Sequence, residues 1–390
     1  MTDTQPPLTP STPLVTLMAV ACGLAVANIY YAQPLLDLLM RSFDIGSGTA
    51  SLIVTVTQIG YAAGLVFLVP LGDQVNRRRL ISWTAAGTSA ALAAAMLSPG
   101  FGCFVIASFF IGVTAVCAQI MVPMAAHLAE DGQRGAVVGR VMSGLLIGIL
   151  LARAFSGIVA DLAGWRAVFG IAALTMLALA AVLYRALPEE IPTTARLSYP
   201  QTLRSVGALL RDEPTLRRRI VYGGCGFAGF TIVWTALPFL LASAPYHYSE
   251  TTIGLFSLLG AAGALGANAA GRLHDRGYGQ RAVAGFMLAA ILSFAGMGLF
   301  STHILAIALG LFFMDLGVQG VQILNQSTIY GLRPEARSRI TTAYIGCFFM
   351  AGAAGSALAG VSYELGGWPG TMAVAGVLEA AALMFWATER

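Results

Sequence analysis

The chain has 390 residues, of which 57% are hydrophobic and only 10% are charged, with a mean hydropathy of +0.77. Folded domains in water carry about a quarter of their residues as Asp, Glu, Lys and Arg, so these proportions exclude a water-soluble globule. The 22 basic residues are all arginine and the formal net charge is only +4, without the clustered basic face that a nucleic-acid partner requires.

Residues 1–13 are polar and proline-rich and lack the basic lead of a secretory signal. They are read as a disordered cytoplasmic tail. Twelve apolar stretches follow, each near the length of about 20 helical residues that a hydrocarbon core demands. They are residues 14–39, 49–71, 80–97, 103–128, 136–160 and 167–187, then 220–242, 252–271, 282–300, 304–329, 340–363 and 371–388. These are segments one to twelve. They must be helices, because an isolated strand leaves its backbone groups unpaired in lipid. Between the N-terminal half (14–187) and the C-terminal half (220–390) lies the one long polar stretch, 188–219. It reads as a cytoplasmic linker with an interfacial helix at LRSVGALLR. The expected fold is an all-α membrane protein of twelve transmembrane helices in two six-helix repeats.

With both termini in the cytoplasm, 19 arginines fall on that side and only Arg41 and Arg166 on the other, with Arg153 inside segment five. The positive-inside rule selects this orientation and predicts a multi-pass protein of the inner (plasma) membrane. The halves also look like copies. Trp165 and Trp368, Gln119 and Gln322, and Gly157 and Gly360 are each 203 positions apart, and Asp73 and Asp275 are 202 apart. Parallel repeats mark secondary transporters, whose substrate site lies between the halves near the midplane.

The loop after segment two, PLGDQVNRRRL, and its second copy after segment eight, GRLHDRGYGQR, resemble the cytoplasmic loop motif of the major facilitator superfamily. The resemblance spans essentially the whole chain. It implies a gate built from Asp73, Arg77 and Arg78 in one half and Gly271, Asp275 and Arg276 in the other. It also implies that Asp73 reaches segment eleven across the seam between halves. An anion at a helix C-terminus is disfavoured by the helix dipole, so Asp73 should seek an arginine or a neighbouring helix N-terminus. ANIYYAQPLL in segment one and GWRAVF after segment five are similar to bacterial drug and arabinose-efflux-like permeases. Segment five itself reads LLARAFSG, where drug:proton antiporters of the superfamily commonly carry a Gly-Pro run, and only Gly157 of that run survives.

A charge inside a transmembrane helix costs about 2.5 to 3.5 kcal/mol or more, so Arg153, Asp315 and Glu379 are candidates for proton coupling, with Asp37 of segment one. Asp315, Gln319, Gln322 and Gln326 recur at helical spacing on segment ten and form one polar face. Asp315 is expected to accept a proton or contact a cation, and the glutamines to hydrogen-bond substrate. Arg153 needs a partner, which is Asp315, Asp161 or an anionic substrate. Glu379 sits where segment twelve should face lipid. In segment one, Tyr30, Gln33 and Asp37 share a strip, and Pro34 should bend the helix. The cavity candidates are Asn28, Tyr31, Gln33, Gln58, Gln119 and Trp234, with the three glutamines of segment ten.

The five cysteines form no CxxC pair and the four histidines are scattered, so no disulfide framework, metal or other cofactor is expected. GCGFAG (224–229) follows no strand and reads as helix packing. No cluster of nucleophile, base and ligand suggests an enzyme. The expected function is proton-coupled export of a small organic molecule by a monomer in the lipid bilayer. The alternatives are a proton symporter or uniporter importing a sugar or organic anion, and a membrane sensor that has lost transport.

Overall fold

The computed structural model describes residues 12–130, 132–189, 198–261, 266, 270–273, 276–333 and 336–389. Among these residues all regular structure is helical. Segment one is broken. It runs as Thr12–Ala27, loosens into turns, passes through a 3-10 turn at Gln33–Leu35 and resumes as Leu36–Phe43. Pro34 has no N–H to continue the ladder, and the Asn28 amide donates to the carbonyls of Leu24 and Ala25 at 2.9 and 3.0 Å where the first piece ends.

Segment two is Ser47–Phe67 followed by a 3-10 turn at Val69–Asp73, and segment three is Arg77–Met96. Segment four is likewise in two pieces, Phe101–Thr114 and Cys117–Leu128. Segments five and six are Arg134–Ala163 and Trp165–Ala186. Segment seven is Pro214–Ala242, and segment eight opens as Glu250–Leu255 and tightens into a 3-10 turn at Phe256–Ala261. Segments nine and ten are Gly279–Leu299 and Ile304–Tyr330. Eleven and twelve form one run, Arg337–Ala387, turned at Gly367, whose φ of 57° suits glycine and strains other residues.

Two close seams join the halves. Along the first, segment five lies so near segment eight that a methyl group at Gly157 would collide with the Glu250 carbonyl, and one at Gly254 with that of Arg153. Along the second, segment eleven lies as near segment two. A methyl at Gly360 would strike Ser51 Oγ, and Ser356 Oγ donates to the Ser51 carbonyl at 3.0 Å. Without a hydrophobic drive between helices in lipid, small residues that permit backbone approach hold such contacts together.

Both seams finish, at the end away from the termini, in a carboxylate that caps the first turn of the facing helix. Asp161 Oδ2 accepts from Thr251 N at 2.8 Å, and Glu364 Oε1 accepts from Gly48 N at 2.7 Å. An acid placed there satisfies an otherwise unpaired amide and complements the helix dipole.

At the terminal end, the linker contains a helix, Tyr199–Asp212, whose Val206 and Leu209 are buried. Tyr199 donates its hydroxyl to the Phe67 carbonyl at 2.8 Å, pinning the linker to segment two. Near the C-terminus, Glu389 accepts from Tyr222 at 2.9 Å and from Gln280 at 2.7 Å, tying segments seven, nine and twelve together.

Candidate substrate site

The deep charges meet where the two halves face each other. Arg153, on segment five, donates from Nε to Gln33 Oε1 at 2.7 Å, and both side chains are buried. The break in segment one makes this possible, because it turns Gln33 and Tyr30 together toward segment five. The guanidinium lies over three rings, with its carbon 4.4 Å from the Trp234 centroid, 4.7 Å from Tyr30 and 5.8 Å from Phe230. Aromatic faces stabilise a desolvated cation through their quadrupoles. Phe230 and Trp234 stand one turn apart on segment seven, so a single helical face supplies two of the three rings.

Asp315 completes the group from segment ten. It is 4% exposed, as is Arg153, and Trp234 is 3% exposed. The carboxylate interacts through space with Arg153 and lies close to the indole of Trp234. It makes no direct hydrogen bond to either. Arg153 Nη2, Trp234 Nε1 and Asp315 Oδ1 are all buried without a hydrogen-bond partner. On its other side Asp315 faces Gly260 of segment eight, where an added methyl would lie 2.6 Å from Oδ2.

The remaining candidates divide. Gln319 and Gln326 are half-buried, whereas Gln322 turns to segment eleven and accepts from the Tyr344 hydroxyl at 2.6 Å. Asn325 joins that second network through Tyr344 and the Arg219 carbonyl, each at 3.3 Å. Gln119 donates to the Tyr61 hydroxyl at 3.3 Å, and Gln58 is buried against Gly352 in the second seam. Asn28 spends its amide nitrogen on its own helix end, and its Oδ1 is buried without a hydrogen-bond partner. Tyr31 points away from Arg153, packs on Phe155 at 5.7 Å and lines an apolar groove of about 680 Å³ between segments one, five and six. Asp37 forms an ion pair with Arg41 at 2.7 Å, near the far end of segment one.

One expectation needs correction. Glu379 does not face lipid. It is 1% exposed and turned toward Gly226 of segment seven, and its Oε2 has no hydrogen-bond partner. Asp73 pairs with Arg77 at 3.1 Å. The 3-10 turn at Val69–Asp73 brings the acid back over the start of segment three, and Arg77 Nε also donates to the Gly72 carbonyl at 2.9 Å. Arg339 of segment eleven does line the same small cavity as Asp73, Arg77 and Gln119. Arg78 bonds to Glu189 and lies 5.0 Å over the Tyr184 ring. In the second loop Gly271 is half-buried and Arg276 exposed, and Asp275 lies outside the described residues. Among the described residues no group of His, Cys, Asp and Glu is arranged to hold a metal.

The family model of the Major Facilitator Superfamily matches residues 16–330 and 223–390, across both halves. The chain belongs to the major facilitator superfamily. The uncharacterized transporter YgaY of Escherichia coli O157:H7 is 44% identical over 374 residues, covering 96% of this chain and 94% of that one. A Streptomyces coelicolor protein named "Probable transporter SCO4007" is 34% identical, over 92% of this chain and 84% of its own. The inward-facing, occupied crystal structure of a bacterial homolog to the human lysosomal transporter Spinster superposes with a TM-score of 0.78 at 12% identity. That match covers 97% of this chain and 96% of the other. This superfamily member is therefore a multi-pass membrane transporter.

Three members of the central group were not among the sequence candidates for the site: Phe230, Gly260 and Tyr30. Phe230 carries a signal in its i, i+4 spacing to Trp234. Tyr30 was on the right strip of segment one, but the break at Pro34 decides that it, and not Tyr31, faces Arg153. Gly260 carries no local signal, because its role is to leave space beside Asp315.

Proposed function

We propose that this superfamily member exports a small organic molecule in exchange for protons, with substrate and proton competing for Asp315. One observation carries the reading: a buried arginine and a buried carboxylate, one from each half, lie in the same group without bonding to each other, and both retain an unpaired polar atom. A carboxylate so placed is stable with a proton or with a ligand donor in its place. If the site reorients only when Asp315 holds a proton or the substrate, two species that exclude each other there cross in opposite directions, and protons entering down their gradient drive the substrate out. The arginine distribution supports cytoplasmic termini, and a rocking motion about the central group would expose it to each side in turn. Gln33, Gln319 and Gln326 are the polar residues available to orient substrate beside the charges.

A second reading follows from Arg153 alone. An anion bound to it would face Asp315 and would have to bring a proton along, which makes the protein a symporter. The two readings separate in proteoliposomes loaded with a pH-sensitive dye and held under a proton gradient, across a panel of candidate compounds. Exchange predicts proton flux opposite to substrate flux in wild type and no coupled proton flux in Asp315→Asn. Proton and substrate moving together, or coupling that persists in Asp315→Asn, would overturn the exchange mechanism.

A further inference from the structure

The unpaired atoms of the central group are not of one kind, and their kinds specify a ligand. This inference rests on reading the Arg153 and Asp315 group as the substrate site. Arg153 Nη2 and Trp234 Nε1 are donors that can accept nothing, whereas Asp315, once it has given up its proton, can only accept. Buried polar atoms without partners are costly, and three of them in one group is the pattern expected where a ligand supplies what the fold withholds.

A ligand group that satisfies both donors must be an acceptor. Beside a guanidinium, the acceptor of matching charge and geometry is a carboxylate, which makes short charge-assisted bonds to Arg. A ligand group that satisfies Asp315 must be a donor, and an ammonium matches its charge. Each charge alone fits poorly: a simple cation would add to the positive field of Arg153, and a simple anion would meet Asp315 unless that acid carried a proton. The Tyr30 and Phe230 rings supply apolar surfaces, with Phe230 and Trp234 tilted against each other along segment seven at 6.1 Å between centroids. Gly260 places no side chain of its own against Asp315 Oδ2.

We infer that the site takes a compact amphoteric molecule with a planar apolar body, its carboxylate shared by Arg153 and Trp234 and its ammonium group on Asp315. The ammonium group displaces the Asp315 proton, so binding releases a proton and exchange follows from the ligand's own chemistry. The neighbouring Gln33 holds the Arg153 Nε and leaves Nη2 for the ligand.

The test uses the full chain in detergent and matched sets of compounds on phenyl, indole and aliphatic bodies. In the phenyl set these are phenylalanine, 3-phenylpropionate, 2-phenylethylamine and 2-phenylethanol. Binding is measured by calorimetry in two buffers of different ionisation enthalpy, which counts protons released. The amphoteric member of at least one set should bind at least about tenfold tighter than its singly charged and neutral congeners, with proton release. Arg153→Gln should abolish its advantage over the amine, and Asp315→Asn its advantage over the acid. Circular dichroism and thermal melting of both variants check that they fold, and the exchange of one congener preference without the other is a readout that misfolding does not produce. An amine that binds as well as the amphoteric compound, with Asp315-dependent proton release, would overturn the ligand class while leaving exchange intact. An acid that binds as well, with proton uptake, would overturn both. Failure of every amphoteric compound to bind would overturn the ligand class, whatever the flux experiments show.

Discussion

Segments five and eight meet along the same contact as segments eleven and two, shifted by one repeat of 203 positions, yet only the first contact carries a charge at its centre. Gly157 corresponds to Gly360, Asp161 to Glu364, and Gly48 to Thr251, so the close approaches and the capping carboxylates repeat residue for residue. At the position of Arg153 the other seam has Ser356, which bonds to the Ser51 carbonyl and accepts from Thr235. At the position of Asp315 the N-terminal half has Gly112, where a methyl would strike the Thr57 carbonyl. One half spends that place on backbone contact, and the other on a carboxylate facing Gly260. The contrast assigns motion to what the repeats share and chemistry to what they do not.

The comparison breaks most visibly at its centre. Arg153→Gln should reduce transport in proteoliposomes at least about 100-fold, whereas Ser356→Ala, at the equivalent place, should stay within about twofold of wild type. Comparable losses at both would mean that the asymmetry is not where the chemistry lies. Next come the close approaches. Gly157→Leu and Gly360→Leu should each lower transport about tenfold, because packed backbones cannot absorb a side chain, and each should raise labelling of cysteines placed at the far end. If only one of the two matters, the seams do not move as a pair.

The capping carboxylates should give smaller and equal effects. Loss of a helix cap costs about 1 kcal/mol, so Asp161→Asn and Glu364→Gln should each increase far-end labelling about fivefold, with additive effects in the double variant. Strong non-additivity would show that one latch acts only when the other is intact. The smallest effect is expected at Glu379, which lies in the C-terminal half away from both seams. Glu379→Gln should leave proton coupling unchanged and transport within about twofold, since an isosteric amide keeps the packing against Gly226. Loss of coupling there would add a second proton site to the account.

The sequence made the helices, the repeat and the deep charges legible, because each follows from composition or spacing. Twelve apolar stretches leave little choice of fold, and Arg153 and Asp315 stand out by the cost of burying them. What periodicity could not supply was phase across an interruption. Once segment one breaks before Pro34, a helical wheel drawn through it no longer tells which of Tyr30 and Tyr31 faces Arg153. On segment ten the wheel places Gln322 on the Asp315 face, but Tyr344 of segment eleven takes it as a partner. Asp161 and Glu364 lie at helix ends, where no periodic pattern points to the helix they cap. Glu379 escapes for a related reason: it is buried by packing toward another helix, at Gly226, which the pattern of its own helix does not reveal.

The most direct test of proton exchange at Asp315 is the proton count on binding. With the compound that gives the largest coupled flux, calorimetry of wild type and Asp315→Asn in two buffers of different ionisation enthalpy should show release of about a single proton per ligand in wild type. The variant should still bind and release none. A wild type whose binding enthalpy does not depend on buffer, or a variant that releases as much as wild type, would contradict the account.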